Sequence, residues 1–303
     1  MKNKNQNHWL CKCMTVILLT GIGWSLGMPT EANAQLRRQK KGGFTYNDPN
    51  LKKAPEIDPQ PYYEQKVWKA DGGDSLRYRI LLPENYDSTK AYPLVLFLHG
   101  AGERGSDNKK QLIHGARLFV LNRAKFPAIV VFPQCPVNGF WSNVDIKLER
   151  GADSTIKPAF NFKEDGNPTK ALDRVLQWLP ELEKTYLIKP DQRYVMGLSM
   201  GGMGAFEMVR RLPDYFAAAV PICGGANPNT ADAIRKTAFW VFHGQMDDVV
   251  PFKYSENIVL ALETIYAREE VIFTMYPQAT HNSWDLAFAE PDLLSWLFKQ
   301  KKK

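Results

Sequence analysis

Continuous apolar runs, separated by helical patterns, constrain the fold of this chain of 303 residues more than any other feature. Most of these runs lack the alternation of apolar and polar residues that is typical of a strand with one face in water. Burial on both faces indicates strands of a parallel sheet that is covered by helices. The predicted strands span residues 76–82, 93–99, 128–132, 194–197, 217–222, 239–242 and 271–276.

Helical spacing of apolar residues occurs between the predicted strands. In two sets, apolar residues recur every three or four positions, which predicts amphipathic helices. Alternating strands and helices predict an α/β fold, with a doubly wound, mostly parallel sheet and helices on both faces. Ligands of such sheets bind beyond the carboxyl ends of the strands, so the chemistry is expected there. The two sets are Leu172, Val175, Leu176, Leu179, Leu182 and Tyr186, then Ile258, Leu262 and Ile265.

The first 34 residues have the three parts of a secretory signal peptide. Lysines precede an apolar run at 14–26, and the triplet Ala-Asn-Ala at 32–34 predicts cleavage after Ala34. The apolar run is too short to cross a bilayer core of about 30 Å, and no stop-transfer pattern follows it. We therefore expect an exported protein, periplasmic or extracellular, with no integral membrane span after processing.

A flexible lead-in is expected at 35–61, where the sequence is basic and rich in Pro, Asn and Asp, and the catalytic domain is expected at 62–303. Removal of residues 1–34 takes away three lysines and one glutamate, which lowers the net charge from +7 to +5. Basic residues cluster at 37–41 and 301–303, so the folded middle is nearly neutral. We therefore expect no nucleic-acid partner.

Two cysteines, Cys135 and Cys223, are the only ones in the predicted mature chain. They follow two strands that are not neighbours in the usual strand order of a doubly wound sheet. Because a disulfide requires Cα atoms within about 7 Å, we expect two free thiols. No Cys-x-x-Cys pair suggests a zinc site.

A Gly-x-Ser-x-Gly pattern lies at 197–201, between a predicted strand and a helical pattern. Small residues at Gly197 and Gly201 leave room for a strained strand-to-helix turn that holds the serine above the sheet. Ser199 is therefore the predicted nucleophile. A serine of this kind needs an imidazole that takes its proton and a carboxylate that orients the imidazole.

The predicted base is His281, which follows the last predicted strand in a polar stretch. At that position the sheet brings a side chain to its carboxyl edge. His99 and His243 each end an apolar strand and precede a glycine, so we interpret both as residues that shape loops. His114 lies in a helical pattern and is interpreted as structural.

The predicted acid is Asp247, in the loop that directly follows the strand at 239–242. The chain order of nucleophile, acid and base is then that of α/β-hydrolases. Asp248 is the competing candidate for the acid. Asp285 is a weaker one, because it falls on the helix after the predicted base.

Two backbone amides are expected to bind the oxygen of the tetrahedral intermediate. The first is the amide of Met200, at the start of the helix after the nucleophile. The second is the amide of Ala101, in the glycine-rich loop at 99–105. This loop lacks the Gly-Lys-Ser/Thr ending of a phosphate-binding P-loop.

A long insertion at about 135–167 has no convincing periodicity and is interrupted by nine charged residues. Such a segment inside a compact domain is commonly a lid or a binding element. Phe140 and Trp141 lie near its start. Because the apolar faces of sugar rings stack on aromatic side chains, we predict that Trp141 lines a substrate cleft.

These motifs resemble the α/β-hydrolase superfamily, and within it a secreted bacterial esterase group related to feruloyl and acetylxylan esterases. The resemblance covers residues 62–297 and implies Ser199 as nucleophile, Asp247 as acid and His281 as base. It also implies that no metal or organic cofactor is needed. The motifs are LHGAGERG at 98–105, FPQCP at 132–136, GLSMGGMG at 197–204, HGQMDDVVP at 243–251 and HNSWD at 281–285.

The sequence therefore predicts a serine hydrolase that cleaves carboxylic esters through an acyl-enzyme, with acyl or feruloyl esters on polysaccharides as substrates. Three alternatives stay open. One is a serine peptidase like the prolyl oligopeptidases, another is a phospholipase or general carboxylesterase, and the third is a non-catalytic binding module on the same scaffold.

Overall fold

Eight strands form one twisted sheet in the computed structural model, which describes residues 55–70, 72–150, 154–265 and 271–302. The signal peptide predicted at 1–34 and most of the lead-in predicted at 35–61 lie outside these residues. The strand order in the sheet is β1-β2-β4-β3-β7-β8-β9-β10. These strands are β1 (Glu64–Lys69), β2 (Ser75–Leu81), β3 (Tyr92–Leu98), β4 (Ile129–Pro133), β7 (Ile188–Leu198), β8 (Ala218–Ile222), β9 (Ala238–Gly244) and β10 (Val271–Tyr276).

The sheet is parallel from β4 through β10, whereas β1 and β2 are antiparallel at one edge. This topology confirms the predicted doubly wound α/β fold. Strand β1 was missed because its sequence, EQKVWK, has no buried residue. An edge strand with both faces partly in water lacks the continuous apolar run that marks the central strands.

Side chains from successive positions of β3 enter opposite apolar layers. Leu94 and Leu96 pack in one layer, and Val95 and Phe97 pack in the other. The first layer is covered by α2, α3, α4 and α5, and the second by α1, α6 and α7. These helices are α1 (Ala116–Leu121), α2 (Lys170–Thr185), α3 (Met200–Arg211), α4 (Ala231–Ile234), α5 (Lys253–Ile265), α6 (Trp284–Ala289) and α7 (Leu293–Lys299).

The insertion contains a two-stranded antiparallel ribbon, so the interpretation that this segment has no periodicity is wrong. Strand β5 is Val144–Arg150 and β6 is Ile156–Phe162. The register pairs Ile146 with Phe160 and Leu148 with Pro158. The sequence of β5, VDIKLER, alternates apolar and charged residues, which is the signal of a strand, although six of its seven residues are exposed.

The described chain is anchored to the domain close to the predicted start at residue 62. The Arg79 guanidinium donates to the Gln60 carbonyl at 2.7 Å, and the buried Tyr63 hydroxyl donates to the Ala116 carbonyl at 3.0 Å. No helix among the described residues is long and apolar enough to span a membrane.

Both cysteines of the predicted mature chain, Cys135 and Cys223, are buried free thiols in the structure. Cys135 follows β4 and Cys223 follows β8, and these strands are separated in the sheet by β3 and β7. The prediction of two free thiols rests on this separation, and the structure confirms it.

Candidate active site

Ser199 lies in the sharp turn between β7 and α3, with a backbone φ of 53° and ψ of −119°. A non-glycine residue at positive φ is strained and is tolerated only where the surroundings impose it. A Cβ atom at Gly201 would overlap the Leu98 carbonyl, and one at Gly197 would overlap the Gly201 carbonyl. The two glycines are therefore required by close backbone packing, as the Gly-x-Ser-x-Gly pattern predicts.

Three side chains from the carboxyl edge of the sheet form one hydrogen-bonded chain. The Ser199 Oγ lies 2.9 Å from the His281 Nε2, and the His281 Nδ1 lies 2.8 Å from the Asp247 Oδ2. The serine and the imidazole are partly exposed, whereas the Asp247 side chain is fully buried. A substrate can reach the serine and the histidine, but water cannot compete for the carboxylate. The arrangement suits acyl transfer by a serine nucleophile.

The Asp247 carboxylate receives four hydrogen bonds. Its Oδ1 accepts from the backbone N–H groups of Val249 at 2.9 Å and Val250 at 2.8 Å. Its Oδ2 accepts from His281 and, at 3.1 Å, from the Nε2 of His243. Burial alone would raise the pKa of Asp247, but the hydrogen bonds from His243 and His281 and their charges lower it to about 2. The acid is therefore ionised at neutral pH.

The other acidic candidates do not reach the base. Asp248, next along the loop, is exposed. Asp285 lies in α6, where burial raises its pKa and the charges of His114 and Arg117 lower it. Of these acidic candidates, only Asp247 has a described hydrogen bond to His281.

The loop after β3 packs directly against the turn that carries Ser199. Met200 is the first residue of α3, and Ala101 begins a 3₁₀ helix at Ala101–Glu103. The first N–H groups of a helix have no carbonyl partner within that helix, so both amides can donate to a ligand. The Arg104 Nε donates to the Ala101 carbonyl at 2.9 Å, which holds the peptide that follows this amide. The structure thus brings both predicted oxyanion residues to the start of a helix beside the nucleophile.

His99 holds the shape of this loop, as its position before a glycine suggested. Its Nδ1 donates to the Gly100 carbonyl at 2.6 Å, and its Nε2 accepts from the Cys135 N–H at 2.9 Å. Burial lowers the pKa of His99 to about 4. A neutral ring supplies the one donor and one acceptor that these contacts need.

Trp141 does not line a cleft, so the prediction of a stacking surface at this residue is wrong. Its side chain is fully buried, and its indole N–H donates to the His99 carbonyl at 3.1 Å. Its ring packs against the His99 ring, with 5.4 Å between the ring centroids, and against Gly204 of α3. Trp141 therefore supports the oxyanion loop from the core. Composition alone could not separate an aromatic residue that binds substrate from one that packs under a loop.

His243 was interpreted only as a loop-shaping residue, and its contact with Asp247 was missed. The signal that could have revealed it is its position in β9, four residues before the acid in the same turn. A buried polar side chain at that distance needs a hydrogen-bond partner, and Asp247 is near in the chain.

Cys223 lies behind the triad, and its backbone has a positive φ of 41°. One ligand atom each from Cys223, Asp247 and His281 lie within 4.8 Å of one another, which is close enough to hold a metal ion. Burial, reinforced by the Asp247 charge, raises the pKa of the Cys223 thiol well above its usual range. A metal ion would therefore have to displace the proton of this thiol and the hydrogen bond between His281 and Asp247. These contacts favour the hydrogen-bonded triad over a metal centre.

The base of the ribbon packs beside this site. Phe160 and Phe162 lie against the ring of Tyr254, with centroid distances of 5.3 Å and 5.6 Å. The same apolar cluster includes Met203 of α3 and Val250 of the loop that carries the acid. The ribbon is thus joined to the two segments that carry the nucleophile and the acid.

Comparison with protein families gives a match to the Esterase family over residues 71–284, more than two thirds of the chain. The chain belongs to the Esterase family. The matched range contains Ser199, Asp247 and His281, so the whole hydrogen-bonded triad lies within the Esterase-family match.

Curated relatives of this Esterase-family chain carry esterase names. An esterase of Mycobacterium tuberculosis is 28% identical over 57% of this chain and 34% of its own length. A protein named probable feruloyl esterase C of Aspergillus terreus is 25% identical over 63% of this chain and 61% of its own. The chain thus spans about a third of the mycobacterial relative and under two thirds of the fungal one.

Solved structures show the same fold. A thermostable esterase superposes with a TM-score of 0.68 at 32% identity, over 80% of this chain and 64% of that protein. A ferulic acid esterase of Anaeromyces mucronatus, solved with ferulic acid, superposes with a TM-score of 0.55 at 18% identity, over 84% and 96% of the two chains. Together with the observed topology, these likenesses identify the α/β-hydrolase fold.

Proposed function

We propose that this chain is an exported serine hydrolase that cleaves carboxylic esters through an acyl-enzyme, and that its substrates are acyl or feruloyl esters on polysaccharides. The observation that carries the proposal is the hydrogen-bonded chain from Ser199 through His281 to Asp247 at the carboxyl edge of the sheet. Membership of the Esterase family supports ester hydrolysis as the use of this arrangement.

The geometry assigns each step of the reaction to a group. The Ser199 Oγ attacks the ester carbonyl carbon while the His281 Nε2 takes its proton. The amides of Ala101 and Met200 donate to the oxygen of the tetrahedral intermediate. His281 then returns the proton to the leaving alcohol, and the acyl group stays on Ser199. Water, activated by His281, attacks this acyl-enzyme and releases the acid.

The buried negative charge of Asp247 supports the proton transfers. Its hydrogen bond to the His281 Nδ1 keeps that nitrogen protonated, so the Nε2 is free to accept the proton of Ser199. Because its pKa is about 2, Asp247 stays ionised throughout the pH range in which a histidine base acts.

The substrate class is supported by a relative's name and by the surface of the ribbon. The fungal relative is named a feruloyl esterase. One face of the ribbon carries Ile146, Leu148 and Ile156, which are exposed at 47%, 76% and 60%. The base of this face packs with Met203 and Val250, and an exposed apolar face that continues from it suits the aromatic ring of a hydroxycinnamoyl group. Export is supported by the signal-peptide pattern at 1–34.

The test compares four substrate classes on the protein purified after expression of the full chain in a bacterial host. We expect turnover of acetyl and feruloyl esters of oligosaccharides, weak turnover of long-chain acyl esters, and none of peptides. N-terminal sequencing of the product should begin at Gln35. A preference for long-chain esters would replace the polysaccharide assignment by a general carboxylesterase or phospholipase, and peptide cleavage would replace it by a peptidase.

A further inference from the structure

His243 is a second histidine on the triad carboxylate, and the mechanism above does not use it. It lies in β9, and its side chain is fully buried. Its Nε2 is 2.8 Å from the Val250 carbonyl and 3.1 Å from the Asp247 Oδ2. A carbonyl and an ionised carboxylate can only accept hydrogen bonds. The His243 Nε2 therefore carries a proton whether the ring is neutral or charged.

The other nitrogen of the ring faces a group that can adapt. The His243 Nδ1 is 2.8 Å from the Ser255 hydroxyl of α5, which also lies 3.1 Å from the Gly224 carbonyl. With a neutral ring, Ser255 donates to Nδ1. With a charged ring, Nδ1 donates to Ser255, whose proton turns to the Gly224 carbonyl. In both states the N–H that points at Asp247 is preserved.

Side chains from several elements lie around His243. The Phe252 ring packs edge-on against the imidazole, with 5.7 Å between the ring centroids. Asp247 is the charged group that contacts it, and the titratable side chains of Cys223 and His281 approach the same carboxylate from elsewhere. The Oδ2 atom of Asp247 thus lies between two imidazole donors.

We propose that His243 is a positioning residue for the hydrolase reaction: it holds the Asp247 Oδ2 in the orientation in which this oxygen accepts from the His281 Nδ1. This inference rests on the proposed function of the triad. The backbone donors of Val249 and Val250 hold only Oδ1. Without His243, the carboxylate would keep one oxygen held by the backbone, and its second oxygen would be held only by the hydrogen bond to His281.

The decisive comparison is between two amide variants of His243. A glutamine has the reach to place its N–H near the position of the imidazole Nε2, whereas an asparagine is shorter by one methylene. We expect His243→Gln to keep most of the wild-type kcat and His243→Asn to lose it by about 10-fold to 100-fold, the effect of removing a hydrogen bond to a charged group. KM should change little in either variant.

The pH profile separates positioning from packing. With one donor fewer, the negative charge of Asp247 holds a proton on His281 more strongly, so the base stays protonated to higher pH. The acid limb of kcat/KM should therefore move to higher pH in His243→Asn and in His243→Leu. The control variant is Phe252→Leu, which loses aromatic packing against the His243 ring. Its Tm should fall, and the acid limb of its kcat/KM profile should stay in place.

Labelling of Ser199 by a fluorophosphonate makes the test independent of the natural substrate. We expect slower labelling of His243→Asn than of His243→Gln in the folded proteins. If the wild type labels fast but cleaves no ester, the proposed function fails while the positioning role is still measured. Equal kcat, equal labelling and an unmoved acid limb in Gln and Asn variants would overturn the role of His243, even if His243→Leu does not fold.

Discussion

The catalytic edge of the sheet and the β5–β6 ribbon adjoin each other but are built in opposite ways. At the edge, all four acceptor sites of the Asp247 carboxylate are used, and glycines bring the backbone around Ser199 into close contact. The ribbon packs on the domain through its base, and most of β5 is exposed. Buried and satisfied polar groups have one low-energy arrangement, whereas exposed side chains can change with little cost in stability.

The exposed part of the ribbon is ordered by the alternation of its two faces. Ile146 and Phe160 lie opposite each other on one face, as do Leu148 and Pro158. The other face carries the pairs Asp145 with Asn161, Lys147 with Ala159 and Glu149 with Lys157. Four of the charged residues that suggested a polar cleft, Asp145, Lys147, Glu149 and Lys157, therefore lie on the face away from the apolar base, whereas Arg150 pairs with Ile156 on the apolar face. The catalytic edge should control turnover of every substrate, and the ribbon should control which substrate is preferred.

The largest effect is expected from removal of the nucleophile. We expect Ser199→Ala to lower kcat by roughly 10³-fold or more on every ester, because the other triad members cannot replace it. The fold should be intact, since the substitution leaves the turn glycines in place. Activity assays, circular dichroism and fluorophosphonate labelling of the wild type at Ser199 provide the measurements. Undiminished activity of the variant would end the serine hydrolase proposal.

The next effect separates the two adjacent acids. Asp247→Asn should lower the acylation rate by orders of magnitude, because the amide favours the wrong tautomer of His281. Asp248→Asn is the matched control and should be mild, since Asp248 is exposed. Single-turnover kinetics with an aryl ester measure both. The reverse ranking would move the acid by one residue.

The low pKa of Asp247 also gives an expectation for pH and stability. A carboxyl group whose pKa is about 2 when folded and higher when unfolded contributes stability above the unfolded value. That contribution is lost as the pH falls towards 2. The free energy of unfolding of the wild type should therefore fall between the ordinary pKa of an aspartate, about 3.9, and pH 2. In Asp247→Asn, urea unfolding at successive pH values should show a smaller decrease.

The sequence predicted the parts of the site whose signal is local. Ser199 is marked by its glycines, and Asp247 and His281 follow the ends of two buried strands. The interaction of His243 was not predictable in the same way, because it depends on the path by which the loop returns to β9. For Trp141 the local composition was the same for a cleft and for a core position, and its burial against His99 and Gly204 distinguishes them.

Trp141 provides a test of the boundary between the two regions. Because it supports His99 from the core, Trp141→Ala should lower kcat by roughly 10-fold or more on small and large esters alike, below the loss of 10²–10³ for removing an oxyanion donor. It should also lower the free energy of unfolding by about 3–5 kcal/mol, as expected for a buried tryptophan. Urea unfolding and assays with an aryl acetate and a feruloylated oligosaccharide measure both effects. A change in KM confined to the oligosaccharide would restore the cleft interpretation.

The smallest expected effect concerns the ribbon and tests whether it selects the acyl group. Leu148→Ser removes exposed apolar surface from β5, while Lys147→Ser changes the opposite face of the same strand. If the apolar face binds a hydroxycinnamoyl ring, Leu148→Ser should raise KM for a feruloyl ester by about 5-fold, as expected for the loss of roughly 1 kcal/mol of apolar contact. KM for an aryl acetate, kcat and Tm should stay close to wild type, and Lys147→Ser should change none of these quantities. Equal effects of the two substitutions, or equal effects on both esters, would show that the ribbon does not select the acyl group, and the difference between the two regions would then concern stability alone.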